Sequence, residues 1–313
     1  MFTAITRRLA GMLVVMFIVA TMVFFLTRLA PGDPASLMLG DQATAADIAE
    51  LRKTYGLDQP LLVQYVLWLK EVATGNLGQS IFLQRPVLQA IGERAEPTFF
   101  LALFSILIAA LIGIPAGIAS AVWRGRHADQ TVSGLAMLAA SIPSFWLGLL
   151  FIQFFAVRLG WFPVAGYGDP GAGLAQRLYH LILPATVLGI VNSALITRFT
   201  RASMLDVLSE DYVRTARAKG LPENRIVLRH ALGNALVPIV TVVGLTAALL
   251  VGGAIITETV FGLPGIGNLV VSAVLRRDYP VIQGALIVIA GIYVMINFAI
   301  DVIYTLVDPR VKT

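Results

Sequence analysis

An all-helical, polytopic membrane protein with six crossings is the fold class this sequence predicts, on three observations. The 313 residues are 58% hydrophobic and only 13% charged, where soluble domains carry about 25% charged residues. The apolar residues gather into runs long enough to cross a hydrocarbon core about 30 Å thick, which takes ~20 helical residues. These runs lack the two-residue alternation of barrel strands, so their backbone groups are satisfied within helices.

Composition also narrows the chemistry. The net charge of +5 is not that of a nucleic-acid binder, because Lys and Arg lie between apolar runs and not on one water-facing surface. With no Cys and three His, disulfides, thiolate catalysis and Cys-ligated zinc are excluded. No phosphate-binding loop, H-E-x-x-H or G-x-S-x-G motif occurs, so neither P-loop nucleotide binding nor those hydrolytic centres are expected. No cofactor or metal is expected.

The spans are placed at about 9–27, 98–122, 132–157, 181–197, 235–256 and 281–306. The first follows Arg7 and Arg8 and resembles a signal sequence. Its length exceeds the ~7–15 residues of a cleavable apolar region, and no A-x-A-like site follows, so it reads as a retained anchor. Basic residues set the orientation. With the N-terminus in the cytoplasm, 13 of the 23 Lys and Arg fall in the inside segments 1–8, 123–130, 198–231 and 307–313, at more than twice the density of the outside loops. Both termini are therefore expected in the cytoplasm.

Between spans one and two, residues 30–97 are too many for a simple connection and are expected to fold. Thr44 with Asp47 forms a capping pair for a helix that Gly56 stops, and a second amphipathic helix follows Pro60 and ends at Gly75. That segment serves either as a surface for an external partner or as packing against the outer ends of the spans. Small residues and prolines interrupt the spans at 113–117, 141–144, Pro184 and Pro238, as hinges or as close-packing positions. Asp301 is the one acid within a predicted span, either functional or structurally paired.

The longest cytoplasmic loop, 198–231, reads as two short helices. Ser209 is the expected N-cap, Glu210 and Asp211 complement the positive end of the helix dipole, and Arg214, Arg217 and Lys219 the negative end. Gly220 supplies a left-handed stop and Pro222 starts the next helix. Tyr212, Val213, Ala216 and Leu221 are the apolar or small residues of a projection too short to be stable alone. Outside, Gly262, Pro264, Gly265 and Gly267 make a turn, with Asn268 as cap of a short apolar run at 269–275. That run is too short to span and reads as re-entrant or interfacial.

The stretch from Glu210 to Pro222, continuing from His230 to Pro238, closely resembles the ATPase-coupling loop of binding-protein-dependent ABC importer permeases, and within them the peptide/nickel branch. In the family's E-A-A-x-x-x-G pattern, Ala216 and Gly220 match while Arg214 and Thr215 stand at the Glu and first Ala positions, so no acidic contact transfers to residue 214. The segments 31–34, 55–60, 75–80, 258–267, 277–280 and 308–312 resemble the B-type permease subunit in the same order, so the resemblance covers essentially the whole chain.

This resemblance implies a type I importer fold in a bacterial inner membrane and a pore shared with a second, C-type permease subunit. It further implies two ABC ATPase subunits and a periplasmic or lipid-anchored substrate-binding protein as partners, alongside membrane lipid and no nucleic acid. By the same resemblance, residues 1–97 are a first span plus folded external segment, 98–307 the transport domain and 308–313 a tail. Glu210, Asp211, Tyr212, Arg214, Thr215, Ala216, Lys219, Gly220 and Leu221 are the expected coupling residues, with Ala216 on the docking face. Glu258, Phe261, Pro264, Gly265 and Gly267 are the expected gate. Two other classes compete: a self-powered carrier, which needs ionisable residues near the midplane, and a membrane enzyme, which needs a convergent catalytic set. The solute stays open among dipeptides, oligopeptides, glutathione, nickel chelates and opines.

Overall fold

The computed structural model describes residues 2–29, 44–54, 56–169, 171 and 173–307. Eleven helices of eight or more residues carry the described chain, besides one short turn at Glu223–Arg225: α1 (Phe2–Leu29), α2 (Ala45–Thr54), α3 (Leu61–Ala73), α4 (Val87–Val122), α5 (His127–Ser141), α6 (Ser144–Phe151), α7 (Leu174–Leu208), α8 (Asp211–Ala218), α9 (Leu232–Val260), α10 (Ile266–Arg276) and α11 (Tyr279–Val307). Two π-helical stretches accompany them, Ile152–Arg158 continuing α6 and Ile226–Ala231 leading into α9. The chain divides into two compact units, 1–96 with 265–294 and 97–264 with 295–313.

Among the described residues, five helical segments are long and apolar enough to cross a membrane: 10–29, 87–122, 174–208, 223–260 and 279–300. The third expected span is not one straight helix. Residues 127–141 and 144–158 are bent by 97°, and they make a sixth crossing only when counted together as one broken span. The break falls at Ile142–Pro143, where the proline lacks a backbone donor and its ring clashes with the preceding turn. At Pro97, Pro115, Pro184 and Pro238 the helices run on unbroken.

In the larger unit, α7 is the central helix, with α5, α6 and α9 packed on it. Leu181, Leu188, Ile196 and Met204 are each at most 2% exposed along its length. The α4 glycines allow close approach. A Cβ at Gly113 would sit 2.8 Å from Ile196, and one at Gly117 would sit 2.6 Å from Thr200. Gly189 of α7 does the reverse against Ile108, at 2.5 Å. The 113–117 stretch is thus a close-packing seam inside a continuous helix, the small-residue solution to helix association in lipid.

The smaller unit is built on α1, α2, α3, α10 and the N-terminal part of α11. Phe24 of α1 is fully buried among Phe25, Tyr65 and Trp68, with ring centroids 5.2–5.4 Å away. The expected capping pair is present: Asp47 Oδ2 accepts from the Thr44 amide at 3.0 Å and hydroxyl at 2.6 Å, and the Asp47 amide donates back to Thr44 Oγ1 at 3.2 Å. These bonds hold the Asp47 carboxyl below the usual carboxylate range. Gly56 and Gly75 take φ of +62° and +84° after α2 and α3, as helix stops do.

Candidate functional site

The 198–231 loop forms from local rules. α7 ends at Leu208, and Ser209 is not the N-cap of α8, because its hydroxyl turns back to the Asp206 carbonyl at 2.7 Å. Glu210 in extended conformation takes that position, without a side-chain bond. At the other end Gly220 adopts φ +76°. Its amide donates to Arg217 O at 2.9 Å and that of Leu221 donates to Ala216 O at 3.3 Å. This bond pair is the Schellman ending, which requires a left-handed residue at the glycine position.

Eight residues are too few for a stable isolated helix, and four contacts fix α8. Val213 (0% exposed) and Ala216 (9%) pack with Ile226 and partly buried Leu221. Arg217 donates to both oxygens of Glu223, at 2.7 and 3.2 Å, which raises the Arg217 pKa above its ordinary value. Asn234 Nδ2, in the first turn of α9, donates to the Tyr212 hydroxyl at 2.9 Å. The peptide link through Ser209 and Glu210 joins α8 to α7.

Ala216 does not lie on the outer face as expected. Three residues after Val213 it shares that residue's side of the helix, turned into the protein. The open face is Asp211, Tyr212, Arg214, Thr215, Ala218 and Lys219, with Arg214 and Asp211 paired at 3.2 Å.

A buried ion pair stands behind this loop and was not legible in the sequence. Asp129, in the first turn of α5 and 5% exposed, accepts two bonds of 2.8 Å from Arg201 Nε and Nη2 of α7. Ser120 of α4 and the Gly125 amide also donate to it. One carboxylate thus ties the C-terminal ends of α4 and α7 to the first turn of α5. Its partners are 72 residues apart for Arg201, and no local pattern announces such a pair.

The expected gate residues are mostly interior. Glu258, within α9, is 0% exposed and accepts from Thr98 Oγ1 at 2.6 Å. Phe261 is 3% exposed, its carbonyl accepting from the Gly166 amide at 2.9 Å. Gly262, at φ +59°, ends α9 with the same Schellman pair, Gly262 N to Thr259 O at 3.3 Å and Leu263 N to Glu258 O at 2.8 Å. Pro264 is exposed. In the other unit, Gly265 and Gly267 are buried at the start of α10. Gly265, not Asn268, is the N-cap residue, since Asn268 already lies inside the helix.

Two of the separate sequence motifs meet in the smaller unit. Asp278, 3% exposed, accepts from Ser80 Oγ at 2.5 Å and from the Ile81 and Phe82 amides at 3.3 Å. The 75–80 and 277–280 segments are therefore two halves of one hydrogen-bonded corner. Asp301 lies in α11, but its side chain is outside the described residues, as are the 31–34 and 308–312 motifs and Tyr55.

Residues 113–313 match the binding-protein-dependent transport system inner membrane component family, and residues 1–101 match the N-terminal region of such membrane components. The chain belongs to this family. It is 45% identical over 308 residues, 98% of each chain, to the probable peptide ABC transporter permease protein y4tP of Sinorhizobium fredii. It is 43% identical over 312 residues to the glutathione transport system permease protein GsiC of Salmonella choleraesuis, covering 100% of this chain and 99% of that one. An inward-facing structure of the MetNI methionine ABC transporter superposes with a TM-score of 0.60 at 22% identity, over 70% of this chain and 97% of that one, a likeness of fold. The protein is thus an ABC importer permease subunit with the type I fold, and these relatives give no support to a self-powered carrier.

Proposed function

We propose that this permease forms half of a translocation path for dipeptides, oligopeptides or related small solutes, and that α8 is the surface on which a separate ABC ATPase acts. One observation carries the second part: a short helix, unstable by itself, is clamped to the following span and joined through two residues to the preceding one, while its opposite face stays open. The names of the relatives, peptide in one case and glutathione in another, support the solute class. The remaining partners are a C-type permease subunit and a periplasmic or lipid-anchored substrate-binding protein that meets the external side.

In this reading residues 1–97 are the first span and external segment, 98–307 the transport domain and 308–313 a tail, with both termini in the cytoplasm. A displacement of α8 reaches α9 through the Val213–Ala216–Ile226 contact, the Arg217–Glu223 fork and the Tyr212–Asn234 bond. It reaches α7 through the backbone, and from there α4 and α5 through Arg201 and Asp129. Glu258, Phe261, Pro264, Gly265 and Gly267 act at the external end as a gate, and Asp301 remains a candidate charge within the last span.

The chain has no Cys, so each introduced thiol is unique. Cys at Arg214 or Thr215 should cross-link to a Cys on the ATPase surface in the assembled complex, and Cys at the inward Val213 should not. Cross-linking at none of the three, in a complex that still hydrolyses ATP, removes α8 as the docking surface.

A further inference from the structure

In the smaller unit a cavity of about 410 Å³ opens where the apolar run of α1 ends at Leu29. Its walls come from α1 (Thr27, Arg28), α3 (Gln64, Trp68) and the first turns of α11 (Tyr279, Gln283), among others. Two polar atoms there lack partners. The Tyr279 hydroxyl and Gln64 Oε1 are buried without a hydrogen bond, and Tyr279 as a whole is only 8% exposed. Buried polar atoms in native proteins are almost always paired, so each orphan calls for an explanation.

The surroundings give one. The Gln64 amide nitrogen is already committed to the Leu57 and Gln59 carbonyls at 3.1 and 2.8 Å, which leaves its oxygen as an acceptor awaiting a donor. Arg28 is half-buried, its guanidinium 5.3 Å over the Phe24 ring, with no carboxylate paired to it among the described residues. The cavity thus offers a cation, a hydroxyl, an outstanding acceptor and the Glu71 carboxylate, which accepts from Asn76 Nδ2, on a largely apolar wall. That set fits an anion with a hydrogen-bond donor close by and an apolar body attached.

Position decides the source. Arg28 is one residue from the end of the span, at the level of the headgroups, and Trp and Tyr belong to that layer. The α1 residues on its side of the helix further into the span, Phe17 and Val14, are apolar and 52% and 57% exposed. We propose that this cavity binds the headgroup of a membrane phospholipid whose phosphodiester carries a hydrogen-bond donor, ethanolamine or glycerol. The phosphate oxygens accept from Arg28 and the Tyr279 hydroxyl. The ammonium or glycerol hydroxyl donates to Gln64 Oε1, and the acyl chains run along Phe17 and Val14. The headgroup then bridges α1, α3 and α11.

The test uses the assembled complex, stripped of lipid and titrated with phosphatidylethanolamine, phosphatidylglycerol or phosphatidylcholine while bound lipid is counted by native mass spectrometry. The first two should bind about tenfold or more tightly than phosphatidylcholine, whose quaternary ammonium has no N–H. Tyr279→Phe and Arg28→Gln should each weaken binding about tenfold, the effect of one hydrogen bond to a charged group. Because the Tyr279 hydroxyl makes no hydrogen bond within the protein, Tyr279→Phe should leave the melting temperature of the lipid-free complex unchanged or raised, which a structural role for the hydroxyl does not predict. Equal binding of all three lipids, or unaltered binding by Tyr279→Phe, overturns the proposal and leaves the orphaned atoms to water or to residues 30–43 of the chain itself. Displacement of the lipid by soluble phosphoethanolamine at matching concentration also overturns it, in favour of a water-borne phosphoester.

Discussion

Gly220 offers the sharpest test of the loop, because its replacement changes one thing. At φ +76° with no heavy atom within 4 Å of where a Cβ would stand, any side chain there meets strain from its own backbone and no clash with neighbours. That strain costs about 1 kcal/mol for Ala and roughly 2 kcal/mol for a β-branched residue, whereas Asn tolerates the left-handed region. About 2 kcal/mol is a factor of ~30 in a conformational equilibrium, enough to loosen a helix of eight residues held by one small cluster, one exposed ion pair and one hydrogen bond. We expect Gly220→Val to insert and assemble normally but to lose most stimulation of ATP hydrolysis by the loaded binding protein, with faster amide exchange at 213–221. Gly220→Asn should stay close to the parent, Gly220→Ala should fall between, and Ala218→Ser on the open face is the control. If Val and Asn behave alike, whether both active or both dead, the left-handed stop is not what the coupling depends on.

Asp129→Asn should destabilise the complex by about 2–3 kcal/mol, less than the ~3–5 kcal/mol of a fully buried pair because the Arg201 side chain is 31% exposed; Asp129→Asn combined with Arg201→Met should recover much of the loss in a thermal-shift assay. Single thiols test the orientation: Cys at Asp169 should react with an impermeant reagent in intact cells, and Cys at Asn224 only after the membrane is opened, the reverse pattern inverting the topology. The Asp47 cap carries a pH signature, since a carboxylate whose pKa is lowered by folding stabilises above its unfolded pKa and loses that contribution as pH falls through the folded one. Amide exchange at 44–48 should therefore accelerate relative to the rest of the chain on acidification below about pH 4, and Asp47→Ala should abolish the difference.

What the sequence made legible was whatever is decided within a turn or two of chain. The six apolar runs, the Thr44–Asp47 cap and the stops at Gly56, Gly75 and Gly220 all follow from neighbours at most five residues apart. The resemblance puts Ala216 on the docking face, whereas its i, i+3 relation to Val213 puts both on the buried side. The bend at Pro143 was visible as an interruption, but its 97° was not, since Pro97, Pro115, Pro184 and Pro238 carry the same residue within helices that continue. Asp129 with Arg201 and Ser80 with Asp278 were beyond reach because their separations, 72 and 198 residues, leave no periodicity to detect.

Gly-Leu-Pro occurs at both 220–222 and 262–264. At each, the glycine closes a Schellman pair, the leucine turns back into the core and the proline forbids further helix. Leu263 is fully buried beside Phe261, and Leu221 partly buried beside Ala216. The two sites proposed to move during transport, one at each end of α9, are thus terminated by the same three residues. The device makes mechanical sense. A helix that frays at its end absorbs a push in its last turn, while one locked by two backbone bonds and a buried leucine passes the displacement on. The π-helical stretch beside α8 leads into α9, whose last turn carries Glu258, so the proposed lever that starts with Val213 on Ile226 finishes with a buried carboxylate bonded to Thr98 of α4.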